Sequence, residues 1–295
     1  MTLAAKQFPA ARPILKWVGG KARLLPDLMK RVPSKYGRYF EPFVGGAALF
    51  FHLAPARAVL SDLNQDLITV YSVLRDDVEG LIRRVTAHSR KHDALYYYAL
   101  RDRWNAGQIR SSIDRAAAFL YFNKTCFNGL WRVNRDGLFN VPIGRYSIPA
   151  ICRPALLRAA HRVLSQAELG CWGYHTVLDR AERGDFVYFD PPYDPLTKTA
   201  RFTSYTAATF TNDDQRELAR ISRVLVKRGV HVIVSNSDTP FVRSLYEGFV
   251  VARVSCARTI NSKVSKRGKI NELIISGQGA RFKRVLTKLG PLELP

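Results

Sequence analysis

The residues Asp185-Phe186-Val187-Tyr188-Phe189 form a near-continuous apolar run that stops at two consecutive prolines. A second such run is Val230-His231-Val232-Ile233-Val234. Strands covered on both faces read this way, because neither face can afford a polar alternation, and such strands belong to parallel sheets packed between helices. Between the two runs, Thr211 to Lys227 has helical spacing, with Thr211 and Asp214 placed as a capping box. Earlier in the chain, Tyr39-Phe40-Glu41 predicts a short strand, Pro42 to Gly46 a turn, Ala47 to Leu53 a helix, and Ala58-Val59-Leu60-Ser61 a second strand. Asn64 is placed to cap a helix running to Arg75. Phe249-Val250-Val251 and Glu272-Leu273-Ile274-Ile275 predict further strands. The alternation implies an α/β fold with a mostly parallel sheet.

This rhythm is interrupted between residues 76 and 150. Three helical patterns, Asp77–Arg90, Asp93–Asn105 and Ile113–Lys124, precede a predicted β-hairpin. Its arms are Leu130–Val133 and Leu138–Val141, and Asn134-Arg135-Asp136-Gly137 is the turn, Asp-Gly being a strong hairpin signal. The chain has 295 residues, which at about 150 per domain allows two domains. The expected division is a discontinuous domain, 1–75 with 151–295, split by a smaller domain, 76–150.

Charge narrows the partner. Lys and Arg number 46 against 24 Asp and Glu, a net charge of +22. Such an excess repels itself in a compact chain and suits a polyanion, with nucleic acid the first candidate and an anionic membrane surface the second. No apolar run is long enough to span a bilayer. Met1 to Pro13 lacks the apolar stretch of a signal peptide, so a cytoplasmic, nucleoid-associated location is expected. Cys126, Cys152, Cys171 and Cys256 form no C-x-x-C pair, and His88 and His92 have no third ligand in sequence, so neither a metal site nor a disulfide framework is expected.

Three motifs carry chemistry. Asp190-Pro191-Pro192-Tyr193 follows a buried strand, at the carboxyl end where ligands bind in open α/β sheets. The prolines fix the backbone and remove two N–H donors, leaving an acceptor corner beside a carboxylate and an aromatic ring. A planar amino-bearing group fits that corner; an ordinary Pro-Pro turn is the plainer reading. Phe40-Glu41-Pro42-Phe43-Val44-Gly45-Gly46 places glycines after a first strand, where a nucleotide-like ligand can approach the backbone, and Asp62 lies 21 residues beyond Glu41, near where a ribose-binding acid is found. A tight strand–helix turn explains the glycines equally. Lys16-Trp17-Val18-Gly19-Gly20-Lys21 lacks the spacing of a phosphate loop, and Ala22 follows the lysine, so ATP binding is rejected. Its Trp and Lys could wall an adenosyl pocket or form a surface loop.

In this order, K-W-x-G-G-K, E-P-F-x-G, an inserted region and D-P-P-Y, the chain resembles the Dam-type N6-adenine-specific DNA methyltransferases from Ile14 to about Ile275. Phe139 to Tyr146 is similar to that family's F-N-x-P-x-G-R-Y segment, and Arg201 to Tyr205 to its F-T-x-Y loop. One departure is Ala47, where the family often has a second glycine, so the turn is expected to tighten.

The resemblance implies a Rossmann-like S-adenosylmethionine-dependent methyltransferase fold with an inserted helical plus β-hairpin target-recognition domain. It implies S-adenosylmethionine, leaving as S-adenosylhomocysteine, against Trp17, Lys21, Phe43, Gly45, Gly46, Asp62 and Asp190, with no metal. It places adenine against Asp190, Pro191, Pro192 and Tyr193, and double-stranded DNA against Phe127, Asn128, Leu130, Arg132, Pro142 and Tyr146, with Arg132 as a guanine contact and 5′-GATC as the target. The target base would be flipped out of the duplex. Asp194 to Phe210 reads as a mobile flap near it or as a disordered surface loop, and Arg258, Lys263, Lys266, Arg267 and Lys269 as phosphate contacts or a solvated face. No membrane and no obligate protein partner is expected. Methylation of cytosine N4 or of an RNA amino group, and a catalytically idle DNA-binding protein, are the competing readings.

Overall fold

The structure is a computed structural model that describes residues 10–194, 210–257 and 269–277. The Arg201–Tyr205 loop, the flap between Asp194 and Phe210, and the basic residues Arg258 to Arg267 lie outside them.

A short helix α1 (Leu25–Met29) precedes strand β1 (Tyr39–Glu41), helix α2 (Ala48–Leu53) and strand β2 (Ala58–Ser61). Four helices follow: α3 (Gln65–Asp76), α4 (Val78–Arg90), α5 (Ala94–Asn105) and α6 (Ser112–Thr125). Each begins at a polar side chain that takes an otherwise unpaired amide: Asn64 from Leu67, Asp77 from Gly80, Asp93 from Tyr96 and Ser111 from Asp114. The α/β rhythm resumes with α7 (Pro154–Leu164), β3 (Ala167–Gly170), α8 (Val177–Arg180), β4 (Phe186–Phe189), α9 (Asn212–Lys227), β5 (His231–Ser237), α10 (Pro240–Leu245), β6 (Val250–Ala257) and β7 (Lys269–Gly277). The capping box of Thr211 and Asp214 is present at the start of α9.

The seven strands make one sheet in the order β3-β2-β1-β4-β5-β7-β6. From β3 to β5 neighbouring strands are parallel, as expected from the apolar runs at β4 and β5 and the alternation of strands with helices. Strand β7 departs from that pattern and pairs antiparallel with both β5 and β6. Only residues 258–268 separate β6 from β7, and a parallel return needs a crossover of a dozen or more residues. Strand β3 is an edge strand with exposed Glu168, so no apolar run announces it.

Side chains alternate across the strands, and the two faces feed two cores. Tyr39, Leu60, Tyr188, Ile233 and Ile274 point to one core, under α2, α3, α4, α6 and α7. Phe40, Val59, Val187, Phe189, Val234 and Ile275 point to the other, under α8, α9 and α10. The helices of the 76–150 segment share the first core: Leu81 and Val85 of α4 and Ala117 and Phe119 of α6 are buried in the same cluster as Tyr71 of α3 and Tyr39 of β1.

The hairpin is less regular than its sequence suggests. Its turn closes, with the Asn134 amide bonded to the Leu138 carbonyl and the Asn134 side chain accepting from Asp136 and Leu138. The arms pair at one bridge, Val133 with Phe139, flanked by the Asn140 amide donating to the Arg132 carbonyl at 3.3 Å, and form no longer ladder. Aromatic packing holds them instead: Trp131 stacks on Phe139, ring centres 4.7 Å apart, and lies 3.9 Å from Phe119 of α6.

Candidate active site

The carboxyl ends of β1, β4 and β5 lie side by side, and on one face their apolar side chains give way to polar ones. Along β1 Tyr39 is followed by Glu41, beyond β4 Tyr188 is followed by Asp190, and on β5 Ile233 is followed by Ser235. Period two keeps each pair on one face, so the polar groups cluster above the first core.

Asp190 is the centre of this cluster. Lys21 Nζ lies 3.0 Å from its Oδ1, and the Ser235 hydroxyl donates to the same oxygen at 2.6 Å. Among the described residues no donor reaches Oδ2. Burial raises the carboxyl pKa, opposed by Lys21 and by the Ser235 hydrogen bond. Lys21 is only 6% exposed and so is not on a surface loop; its Nζ lies 4.5 Å from the centre of the Tyr193 ring.

The prolyl corner is locked from below. Gln215 of α9 donates to the Pro192 carbonyl at 2.9 Å and itself accepts from Asn236. Asn236 accepts from the Asp194 amide, and the Ser237 hydroxyl donates to the Asp194 carbonyl at 2.7 Å. These buried bonds leave the Pro191 carbonyl with no donor among the described residues. The carbonyl and Asp190 Oδ2 are therefore the two acceptors the corner holds in reserve.

The turn after β1 supplies the second half of the site. Gly45 has φ +43°, and a Cβ there would meet Trp17 Cδ1 at 2.7 Å; one at Gly46 would meet Trp17 Cβ at 3.2 Å. Trp17 therefore lies directly over the glycines. The Gly45 amide donates to Asp62 Oδ2 at 3.1 Å, the Asn64 amide to Asp62 Oδ1 at 3.0 Å, and the Gly45 carbonyl accepts from Tyr71. Each oxygen of Asp62 keeps a further lone pair for a hydroxyl. Phe43 is half-buried and stacks on Tyr174, with ring centres 5.3 Å apart. Ala47 sits at φ +54° and its amide bonds the Val44 carbonyl at 2.6 Å, so the turn is tight. A left-handed alanine costs about 1–2 kcal/mol, which is why a glycine suits this position.

Glu41 is 3% exposed, accepts from Tyr39 Oη at 2.8 Å, and has its carboxyl raised to about 8, chiefly by burial and further by the charge of Asp190.

The second group of expected residues lies beyond α6. Phe127 is 50% exposed, Asn128 is exposed in a left-handed conformation at φ 55°, and Arg132 and Pro142 are exposed. The Phe127 amide donates to the Pro142 carbonyl at 2.9 Å, which joins the two. Arg132 Nε donates to Asn140 Oδ1 at 2.9 Å. Leu130 is half-buried against the first core, and Tyr146 is half-buried beneath Lys16, whose Nζ lies 4.3 Å from its ring centre. Buried Asn123 of α6 bonds the amide and the carbonyl of Lys16, at 2.8 and 2.7 Å. The segment from Lys16 to Lys21 thus connects the two groups, touching Tyr146 at one end and Asp190 at the other.

Ser235, Gln215, Asn236, Asn123 and Glu272 were not singled out by sequence. Ser235-Asn236-Ser237 did carry a signal, three polar residues closing an apolar strand. Asn123 and Gln215 are amides on the mostly apolar buried faces of their helices. His88 and His92 are half-buried and each bonds a tyrosine hydroxyl, of Tyr96 and Tyr121 respectively. No group of three or more His, Cys, Asp or Glu placed to hold a metal occurs among the described residues, nor does any helix there have the length and apolarity to cross a membrane.

A family model described as D12 class N6 adenine-specific DNA methyltransferase matches residues 17–260. The chain is 41% identical over 283 residues to the Type II methyltransferase M1.LlaDCHI of Lactococcus lactis, covering 95% of this chain and all of that protein. It is 40% identical to the Type II methyltransferase M.MjaIII of Methanocaldococcus jannaschii, covering 90% and 98% of the two chains. It is 37% identical to a DNA adenine methylase of Escherichia coli, covering 89% and 94%.

Proposed function

Because the chain belongs to the D12 class of N6 adenine-specific DNA methyltransferases, we propose that it moves a methyl group from S-adenosylmethionine to adenine N6 within 5′-GATC in duplex DNA. The seven-stranded α/β sheet is the architecture of S-adenosylmethionine-dependent methyltransferases. The observation that carries the reading is the arrangement at Asp190: both donors sit on Oδ1, so Oδ2 remains for the substrate.

The residues present fit the methyl donor. Glycine at 45 and 46 lets the turn lie directly against Trp17, where a Cβ would strike the side chain, and Asp62 offers lone pairs to ribose hydroxyls. Trp17, Lys21, Phe43, Gly45, Gly46, Asp62 and Asp190 would hold it. When bound, it supplies a sulfonium methyl group open to in-line attack.

The chain's own residues prepare the nucleophile. The exocyclic nitrogen of adenine is a poor nucleophile because its lone pair is delocalised into the ring. Accepting its two hydrogens at Asp190 Oδ2 and the Pro191 carbonyl favours a pyramidal nitrogen with a localised pair. The hydrogen bonds to Pro192 and Asp194 hold those acceptors still, so positioning supplies much of the rate. Lys21 and Ser235 restrain the carboxylate without occupying the oxygen it uses. Lys21 lies over one face of Tyr193, and a base would stack on the other.

A base within a duplex cannot enter this corner, so it is flipped out. The target-recognition part, residues 76–150, reads the flanking bases through Phe127, Asn128, Leu130, Arg132, Pro142 and Tyr146. The five residue steps from Lys16 to Lys21 span at most about 18 Å, which keeps the DNA-facing group within reach of an extruded nucleotide. The excess of positive charge holds the phosphates.

Purified protein is incubated with tritiated S-adenosylmethionine and unmodified duplex DNA, the product is digested to nucleosides, and methylated positions are mapped. Tritium in N6-methyl-2′-deoxyadenosine, at GATC, is expected. Label in N4-methylcytosine, or no transfer to the duplex, would overturn the reading.

A further inference from the structure

The hydroxyl of Tyr193 donates to Glu272 Oε2 at 2.7 Å, although 79 residues separate them in the chain. The bond exists because β7 runs antiparallel between β5 and β6. Its first half therefore lies at the carboxyl end of β5, where Glu272 stands opposite Ser237. Period two puts Glu272 on the face of Ile274, the same face that carries Ser235. Strand β7, which breaks the parallel pattern, thus delivers a carboxylate to the prolyl corner.

Tyr193 is consequently held at three places. Its backbone neighbours Pro192 and Asp194 are bonded by Gln215, Asn236 and Ser237. One ring face meets Lys21, and the para oxygen meets Glu272. Backbone restraint alone leaves both side-chain torsions of a tyrosine free to turn; a bond at the far end of the ring fixes them together. A charged acceptor is suited to this, since its hydrogen bonds are shorter and stronger than neutral ones.

We propose that Glu272 is a positioning residue for methyl transfer, holding the Tyr193 ring at the angle at which it stacks on the extruded base. The proposal rests on the reading of the Asp190–Tyr193 corner as the adenine site. Preorganising the ring removes an ordering cost from the step that seats the base. Glu272 acts only through Tyr193, so the two residues form one functional unit.

A double-mutant cycle tests this. Single-turnover methyl transfer to a GATC duplex is measured for wild type, Tyr193→Phe, Glu272→Ala, the double variant and Glu272→Gln. A parallel set uses duplex with 2-aminopurine at the target position, whose fluorescence is quenched by stacking. Each single variant is expected to slow transfer by about 10-fold, the worth of one hydrogen bond, and the double variant no further. Glu272→Gln, whose carbonyl still accepts the hydroxyl, recovers most of the rate. The 2-aminopurine signal brightens in both single variants and no more in the double, and affinity for S-adenosylmethionine is unchanged throughout. Multiplied losses in the double variant, or a wild-type rate in Tyr193→Phe or Glu272→Ala, would overturn the role of Glu272 while leaving the adenine site standing. Wild-type protein that makes no N6-methyladenine overturns both.

Discussion

Glu41→Gln offers a measurement in which structure and pH combine. In the folded chain the Glu41 carboxyl is raised from its ordinary 4.5 to about 8, because it is buried beside Tyr39 and feels the charge of Asp190. Between those two values the unfolded chain has released the proton and the folded chain keeps it. Unfolding therefore releases a proton, and stability falls as pH rises, by about 1.4 kcal/mol per unit. The stabilisation is whole below 4.5 and is lost by the time pH passes 8. Over that window the change amounts to roughly 4–5 kcal/mol, a large part of a typical domain's stability. Glutamine copies the neutral acid in shape, can accept from Tyr39, and does not titrate. Urea unfolding followed by circular dichroism at several pH values from 5 to 8 gives both curves. The variant should gain on wild type steadily across the range. Parallel curves for the two proteins would refute the account of Glu41 as a buried, protonated acid.

Asp190→Ala removes the acceptor and should lower transfer by about 1,000-fold or more while DNA binding, measured by anisotropy, stays intact; retained turnover would contradict its role. Asp62→Ala frees the Gly45 and Asn64 amides and should weaken S-adenosylmethionine binding by about 10- to 100-fold. Calorimetry should find DNA affinity little changed, and equal losses of both would speak against the ribose assignment. Arg132→Ala should cost about 1–3 kcal/mol of discrimination at one base pair, seen as relaxed methylation in a library of altered sites; uniform weakening across all sites would make Arg132 a phosphate contact. Asn123→Ala strands the Lys16 amide, the Lys16 carbonyl and the Gly129 carbonyl. It should destabilise the fold by about 2–4 kcal/mol in urea titration, and a loss below 1 would mean those groups find other partners.

Much of this molecule can be read before it folds. The runs 185–189 and 230–234 mark β4 and β5 because a strand buried on both faces has no choice but to be apolar. Helix starts are legible at Asn64 and Thr211 because an exposed amide there needs an oxygen within three residues. The Asp190–Tyr193 corner and the Gly45-Gly46 turn are legible for the same reason: their chemistry is held in contiguous residues. The hairpin turn is legible too, but its arms pair only next to the turn, at Val133 and Phe139, and beyond it Trp131 packs on Phe119.

What contiguity cannot encode is partnership across the sheet. Lys21 meets Asp190, Ser235 shares its oxygen, and Glu272 reaches Tyr193 only after β1, β4, β5 and β7 are laid side by side. The order of those strands comes from how two cores close over one sheet, whereas the reversed direction of β7 follows from its short connection to β6. A residue's own neighbours therefore determine its strand, its turn and its cap. Which oxygen of a carboxylate stays open is decided by side chains that lie far off in sequence and arrive through packing.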